Sequence, residues 1–289
     1  MTSKTSAKIG AFGKANSYSY VAARWAFGKA VVPVPGAKAI FDQLRTGALD
    51  VGVLPLENVS GGWVSDVLYE LMRLHETDPH ARIIREIDLP VVLCVAAKKA
   101  TMRIDEAARI YSHPYPLIHT SEWIRQNNPM AEKVETPSTS EAAERVARDP
   151  GGIALCNIAA ARRVGLKVLL RSVPTTVENV TRFVAVSKRV PPRGRPTRTC
   201  LWFAVPDRPG SLLRALAAFK AHGVNLTRIE SRALDSFHRY GFFTELEGGA
   251  ATPRVARAIA ALKSATAGVT ILGSYPVDRI PRKAAARLA

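Results

Sequence analysis

The chain has 289 residues, 47% of them apolar and 22% charged, enough for about two domains with real cores. No apolar run approaches the roughly 18–20 residues of a membrane span, and the opening "MTSKTSAKIGAFG" lacks the apolar stretch of a signal peptide, so a cytoplasmic protein is expected. The formal net charge of +17 suggests a polyanion ligand, but much of the excess sits in "KRVPPRGRPTR" (188–198) and "RIPRKAAARLA" (279–289), with five and four basic residues and no acid. Neither stretch interleaves aromatics with its cations, so no specific nucleic-acid ligand is expected.

From the N-terminus, "KIGAFG" (8–13) reads as a strand running into a glycine loop, and "SYSYVAARWAFG" (17–28) as a helix with Ser17 as N-cap. "AVVPVP" (30–35) is a strand, "AKAIFDQLRTG" (37–47) a helix ended by Gly47, and "DVGVLPLEN" (50–58) a strand ending in a polar loop. "VSDVLYELMRLHE" (64–76) has helical apolar spacing. "LPVVLCVAA" (89–97) reads as one buried strand, "RIYSH" (109–113) as a short one, and "STSEAAERVAR" (138–148) as a capped helix. "GIALCN" (152–157) and "IAAARRVG" (158–165) add a strand and a helix. The alternation predicts α/β architecture with mostly parallel strands, whose ligands bind at the carboxyl ends of strands. Ser17, Glu57, Asn58, Ser112 and His113 fall there.

"PPRGRP" (191–196) can continue neither a helix nor a central strand and marks a domain boundary. The expected layout is a first domain over 1–188, a basic linker over 189–198, a second domain over 199–277 and a solvated basic tail over 278–289. The second domain reads as strand "TCLWFAV" (199–205), helix "PGSLLRALAAFKAHG" (209–223) and strands "VNLTRIESRA" (224–233) and "RYGFFTELEG" (239–248). Helix "TPRVARAIAALKSA" (252–265) and strand "VTILGSYP" (269–276) complete a βαββαβ order, that of a ferredoxin-like sandwich.

"ENVTRF" (178–183) lies between the apolar runs "LKVLL" (166–170) and "FVAVSK" (183–188). Asn179, Thr181 and Arg182 place an amide, a hydroxyl and a fixed cation in one short stretch, which suits a small anionic ligand, although local grounds alone favour a turn whose polar groups satisfy the backbone. Cys94, Cys156 and Cys200 each sit in an apolar run without C-x-x-C spacing, and the six histidines show no paired ligand spacing, so reduced core cysteines and no metal are expected.

The stretches "SYSYVAA" (17–23), "PLEN" (55–58), "YSHP" (111–114), "STSEAA" (138–143), "AARRVGL" (160–166) and "NVTRF" (179–183) stand in the order of prephenate dehydratase, which the first domain resembles. The second resembles an ACT domain, the small amino-acid-sensing module, over "DRPGSLLRALAAFKAHGVNLTRIESR" (207–232) and "YGFFTELEG" (240–248). The resemblance covers residues 8 to about 277 and implies a two-lobed, periplasmic-binding-protein-like catalytic domain with its cleft between the lobes, followed by the ACT domain. It implies loss of water and carbon dioxide from prephenate to give phenylpyruvate, with no cofactor. By resemblance Thr181, Arg182, Asn58 and Ser112 are catalytic, Thr181 assisting hydroxyl departure and Arg182 gripping a carboxylate or bracing the loop from behind. Ser17, Glu57, His119, Ser138, Thr139 and Phe183 line the substrate site. Gly210, Ser211, Leu212, Asn225, Glu230, Ser231 and Arg232 receive L-phenylalanine as effector, with Leu212 and Leu213 around its ring and paired ACT domains making a homodimer or homotetramer.

The chain departs from the family pattern at Asn16, Val59, Leu93, His119 and Asn157, and in the second domain at Ser211 and Ala233. A diverged member acting on arogenate, or a decarboxylase retaining the hydroxyl, is therefore an alternative, as is a non-catalytic amino-acid sensor. Retention of Thr181 argues against the decarboxylase, which has no use for a hydroxyl-departure donor.

Overall fold

A computed structural model describes residues 7–28, 30–59, 61–78, 80–233 and 240–288. The first six residues of the expected first domain and the last of the expected tail lie outside these. The chain lays down β1 (Ile9–Phe12), α1 (Tyr18–Phe27), β2 (Val31–Val34), α2 (Ala37–Thr46), β3 (Val51–Asn58), β4 (Gly62–Trp63), α3 (Ser65–Thr77) and β5 (Arg82–Pro90) as one lobe. It then crosses to a second lobe of β6 (Cys94–Ala97), β7 (Arg109–Ser112), α4 (Pro114–His119), α5 (Ser121–Asn127), β8 (Glu132–Glu135), α6 (Thr139–Arg148), β9 (Gly152–Cys156), α7 (Ile158–Arg163) and β10 (Lys167–Leu170). It returns as β11 (Val180–Ser187), inserted in the first lobe between β3 and β5.

The run 89–97, read as a single strand, is two. β5 ends at Pro90, which has no N–H to continue a ladder, and residues 91–93 form one of two crossings between the lobes. The crossings hold each other: Val91 N–H donates to Asn179 O at 2.8 Å and Val173 N–H to Leu93 O at 2.8 Å. A chain that leaves a lobe and comes back reverses direction, so the sheets are mixed rather than mostly parallel. β1 runs parallel to β2 and β3, whereas β11 is antiparallel to β3 and β5. In the second sheet β7 is parallel to β8 and β9, whereas β6 is antiparallel to β9 and β10. Two lobes joined by two crossings form the periplasmic-binding-protein-like architecture expected. Cys94 and Cys156, distant in sequence, face each other across β6 and β9 as free thiols 4.0 Å apart.

The C-terminal domain comprises β12 (Arg198–Ala204), α8 (Ser211–Ala221), β13 (Leu226–Ala233), β14 (Tyr240–Glu247), α9 (Pro253–Ala265) and β15 (Gly268–Tyr275). Its strand order, β13-β14-β12-β15, is that of a ferredoxin-like sandwich, with both helices packed on one face over Leu201, Phe203, Phe219 and Leu246. The other face carries Cys200, Trp202, Phe243 and Leu272, which share one core with Leu54, Leu56, Leu71 and Val184 of the first lobe. β15 meets β5 at Gly273, where an added Cβ would stand 2.3 Å from Ile83 O, so the two sheets can join only at a glycine.

The tail is not solvated. β16 (Val277–Arg279) runs parallel to β5, and α10 (Arg282–Leu288) buries Ile280 and Ala285 in the first-lobe core with Ile9, Ile84 and Ile87. Every third or fourth residue being small and apolar makes this basic segment amphipathic, a period outweighed by its charge in the sequence reading.

Candidate active site

Strands β3 and β11 end side by side at the lobe boundary, with Thr181 opposite Asn58 and Arg182 opposite Glu57. Successive strand residues point to opposite faces, so this register makes two pairs, one on each side of the sheet. Asn58 Nδ2 donates to Thr181 Oγ1 at 2.8 Å and to Asn179 Oδ1 at 2.7 Å. Its orientation is set by Gly61 N–H, which donates to Asn58 Oδ1 at 3.0 Å. Because Thr181 Oγ1 is the acceptor here, its own O–H proton is left to be donated elsewhere. Thr181 is 9% exposed and Asn179 7%, so the hydroxyl is held in a largely dry setting.

On the opposite face Arg182 is enclosed by carboxylates. Its guanidinium donates to Glu86 at 2.9 and 3.0 Å, to Glu57 Oε2 at 3.0 Å and to Glu245 Oε1 at 2.7 Å. Arg198 donates to Glu86 Oε1 at 2.6 Å, and Arg228 of β13 donates to Glu57 Oε1. Burial pulls the Arg182 pKa down, but Glu245 and Glu86 outweigh it and hold the pKa above the ordinary arginine value. With its guanidinium taken up by these carboxylates, Arg182 sits behind the strand, on the face opposite Thr181. Arg198, placed in the linker by its neighbours, belongs to this buried cluster.

Three helix N-termini flank the lobe boundary. Ser17 accepts from Tyr20 N–H at 3.3 Å, Ser138 from Glu141 N–H at 3.1 Å and Asn157 from Ala160 N–H at 2.6 Å, capping α1, α6 and α7. Thr139, half-buried, opens α6. Asn157 Nδ2 also donates to Asn16 O at 3.0 Å, and Lys14 pairs with Glu141 at 3.1 Å and Glu144 at 2.9 Å, so both lobes are tied here. Two expected residues are elsewhere. Ser112 is fully buried and donates to Leu155 O at 2.7 Å, locking β7 to the end of β9. Phe183, 1% exposed, is core beneath α1: it shares the face of Thr181 but lies two residues further along β11, where α1 covers the strand.

A family model described as prephenate dehydratase matches residues 9–191. A bifunctional chorismate mutase/prephenate dehydratase of Aquifex aeolicus (strain VF5) is 33% identical over 273 residues, covering 93% of this chain and 73% of that protein. The chain belongs to the prephenate dehydratase family. Two solved structures share the fold along most of their length. GqqA, described as a novel type of quorum quenching acylase, is 31% identical with a TM-score of 0.83, over 94% of this chain and 98% of that one. The prephenate dehydratase of Arthrobacter aurescens in complex with L-Phe is 28% identical with a TM-score of 0.78, over 92% of this chain and 89% of that one.

The structure places the five residues read as departures from the family pattern. Asn16 holds a φ of 64°, a left-handed conformation that asparagine tolerates better than most residues. Its carbonyl is the acceptor for Asn157, so the two departures are partners in one interlobe hydrogen bond. Leu93 is second-lobe core, and Val59, 62% exposed, lies on the surface at the end of β3. His119, half-buried on the last turn of α4, has its carbonyl bonded by Thr176 N–H at 2.9 Å. Its ring stands edge-on to Tyr115, whose other neighbour is His113 at 5.5 Å between centroids. Burial lowers the His113 pKa, against a weaker opposing pull from Glu135, so a neutral imidazole is favoured at the cleft edge. Tyr115, which sequence reasoning did not single out, stands two residues after His113 and four before His119 and approaches the turn at Gly61 on the other lobe.

In the C-terminal domain a cavity of about 180 Å³ lies beside the N-terminus of α8. Ser211 and Leu212 line it, with Asp207, Arg208, Tyr240 and Phe242. Gly210, with a φ of 80°, is the N-cap. Leu213 is 73% exposed and points away, which removes it from any ring pocket in this subunit. Asn225, Glu230, Ser231 and Arg232 do not line the cavity; Asn225 is exposed, and the others lie on β13, an open sheet edge. Glu230 pairs there with Arg232 at 2.7 Å. Among the described residues no helix is long and apolar enough to cross a membrane and no cluster fits a metal.

Proposed function

We propose that this prephenate dehydratase family member is a carbon–oxygen lyase that converts prephenate to phenylpyruvate, with Thr181 as the hydrogen-bond donor to the departing ring hydroxyl. As the ring C–carboxylate bond breaks, its electron pair enters the ring, the ring becomes aromatic, and the hydroxyl, hydrogen-bonded by Thr181, leaves with its bonding pair and takes up one proton from solvent to become water. Carbon dioxide is the other product, and no electrons are gained or lost. The observation that carries this reading is the Asn58–Thr181 bond, in which threonine is the acceptor and keeps its proton for the substrate. Threonine is a very weak acid, so its contribution is a positioned donor in a dry site. The N-termini of α1, α6 and α7 supply N–H groups and positive helix ends for a substrate with two carboxylates, which supports an anion at this boundary. Ser17, Ser138 and Asn157 act here by shaping those helix ends.

The C-terminal domain is read as an ACT regulatory module that receives L-phenylalanine. The cavity at Gly210–Leu212 supports this, since its helix N-terminus suits a carboxylate and Leu212, Tyr240 and Phe242 suit a ring. β13 lies outside that cavity, so side-by-side pairing of two chains is the arrangement that would bring Glu230, Ser231 and Arg232 to it. Incubating the protein with prephenate and with arogenate while following the ultraviolet spectrum tests the catalytic reading. Phenylpyruvate from prephenate supports it, turnover of arogenate alone shifts the substrate, and loss of carbon dioxide without an aromatic product overturns it. The likeness to GqqA makes acylase activity the control for the same preparation.

A further inference from the structure

The Asn58–Thr181 pair has a counterpart one residue away on the back of the same two strands. Glu57 precedes Asn58 and Arg182 follows Thr181, and the two are bonded at 3.0 Å. The ladder between β3 and β11 is irregular here: Arg182 pairs with Glu57, but Phe183 pairs with Pro55, so Leu56 is skipped. A bulge bends a strand and re-aims its side chains. With a ladder position missing, the twist of residues 57–58 against 181–182 depends more on what holds the side chains behind them.

Those side chains are held by the C-terminal domain. Glu245 of β14, fully buried, accepts from Arg182 Nη2 at 2.7 and 2.9 Å. Arg228 of β13 donates to Glu57 Oε1, and its Nε lies 3.6 Å from Glu245 Oε2. Arg228 is itself fixed against Trp63 of β4, 5.0 Å from its ring centroid, and Trp63 stands edge-on to Phe243 at 5.4 Å. Trp63 pairs in turn with Glu57 across β4 and β3. A continuous run of ion pairs and packed rings thus leads from an edge strand of the C-terminal domain to Glu57, the chain neighbour of the asparagine bonded to Thr181.

We propose that Arg228 is a positioning residue for the Asn58–Thr181 pair, acting through Glu57, so that the geometry of the active site is set partly by β13 of the C-terminal domain. The proposal rests on the reading of Thr181 as the donor to the leaving group. Arg228 lies two residues before Glu230 on the strand expected to face an effector. Any displacement of β13 changes the Arg228–Glu57 contact first and the aim of Asn58 with it. Glu57 makes no contact with substrate in this scheme; it transmits position.

The test uses the full-length protein with Arg228→Gln, Arg228→Lys, Glu57→Gln and the double variant Arg228→Gln/Glu57→Gln. An exposed pair altered by Arg103→Ala serves as control. Arg228→Gln is expected to lower kcat about 10-fold with KM within about twofold, the scale of a small misplacement of a reacting group. Arg228→Lys restores part of this, because lysine keeps the charge but cannot reach Glu57 and Glu245 together. In the Glu57→Gln background the Arg228 change adds less than about twofold, since both act through one contact. Amide hydrogen exchange, read by mass spectrometry on segments 56–59 and 179–182, is expected to quicken about 10-fold in Arg228→Gln and not in Arg103→Ala. Full additivity in the double variant, or parental kcat and exchange in Arg228→Gln, overturns the proposal. If the parent fails to turn over prephenate, the catalytic reading falls, and exchange alone decides the coupling: acceleration confined to the two segments sustains it and parental exchange ends it.

Discussion

A hydroxyl and a guanidinium on adjacent residues have opposite fates in this protein. Thr181 faces Asn58 and keeps a proton to donate; Arg182 is consumed by Glu57, Glu86 and Glu245. Thr181→Val keeps the shape and removes the donor, so kcat with prephenate should fall at least about 100-fold, the usual scale for a positioned proton donor. The melting temperature should barely move, because Asn58 retains Asn179 as a partner. A Val variant with parental turnover would show that the threonine only supports the loop. The chemistry of residues 179–182 was legible in the sequence as a donor-rich stretch. The face each side chain takes was not, because it depends on the register of β11 against β3, whose partner lies over 120 residues away.

At the level of elements, β7 and the turn before β9 are joined by Asp149. It accepts from Arg109 Nε at 2.8 Å, from Tyr111 Oη at 2.9 Å and from Gly151 N–H at 3.1 Å. The hydrogen bond from Arg109 is the main reason its pKa falls from the ordinary 3.8 to about 2, with burial opposing. A carboxylate held low in the folded state stabilises the fold above its ordinary pKa and loses that contribution as pH falls toward 2. Asp149→Asn should therefore cost on the order of 1 kcal/mol at neutral pH, after allowance for solvent screening. The parent and variant melting temperatures should converge between pH 4 and pH 2, and a gap that stays constant would assign the loss to packing instead. Caps at Ser17 and Ser138 were read correctly from sequence because an N-cap is a local device of four residues. The break after Pro90 was not, because an apolar run looks the same in one buried strand or in two joined by a crossing.

For the molecule as a whole, the C-terminal domain and the tail are built into the first lobe. Removing residues 281–289 takes away α10 and uncovers Ile280 and the core around Ile87. The melting temperature should drop by about 4–8 °C, the response to roughly 2 kcal/mol in a chain of this size, while turnover at 25 °C stays within about twofold. A melting temperature unchanged on truncation would mean that α10 contributes no packing. Gly210 holds a φ of 80°, where a β-branched residue is strained. Gly210→Val should abolish L-phenylalanine binding in calorimetry, lower the stability of α8 slightly and leave basal turnover nearly intact. D-phenylalanine should give no heat with the parent, and no heat with millimolar L-phenylalanine would reduce the domain to an assembly module.

Short-range order was within reach of the sequence by itself. The alternation of strands and helices, the βαββαβ order after the proline-rich boundary and the helix caps follow from spacings of a few residues, whereas the nomination of Asn58 and Thr181 came from family resemblance. Tertiary structure alone decided what depends on distant partners. It paired Arg182 with Glu245, buried Ser112 and Phe183, set Cys94 beside Cys156, and docked a basic tail on β5. Strand parity, sheet order and ion-pair choice are set by which segments meet in space, and a charged residue reads alike in sequence whether its partner is solvent or a carboxylate 63 positions further on.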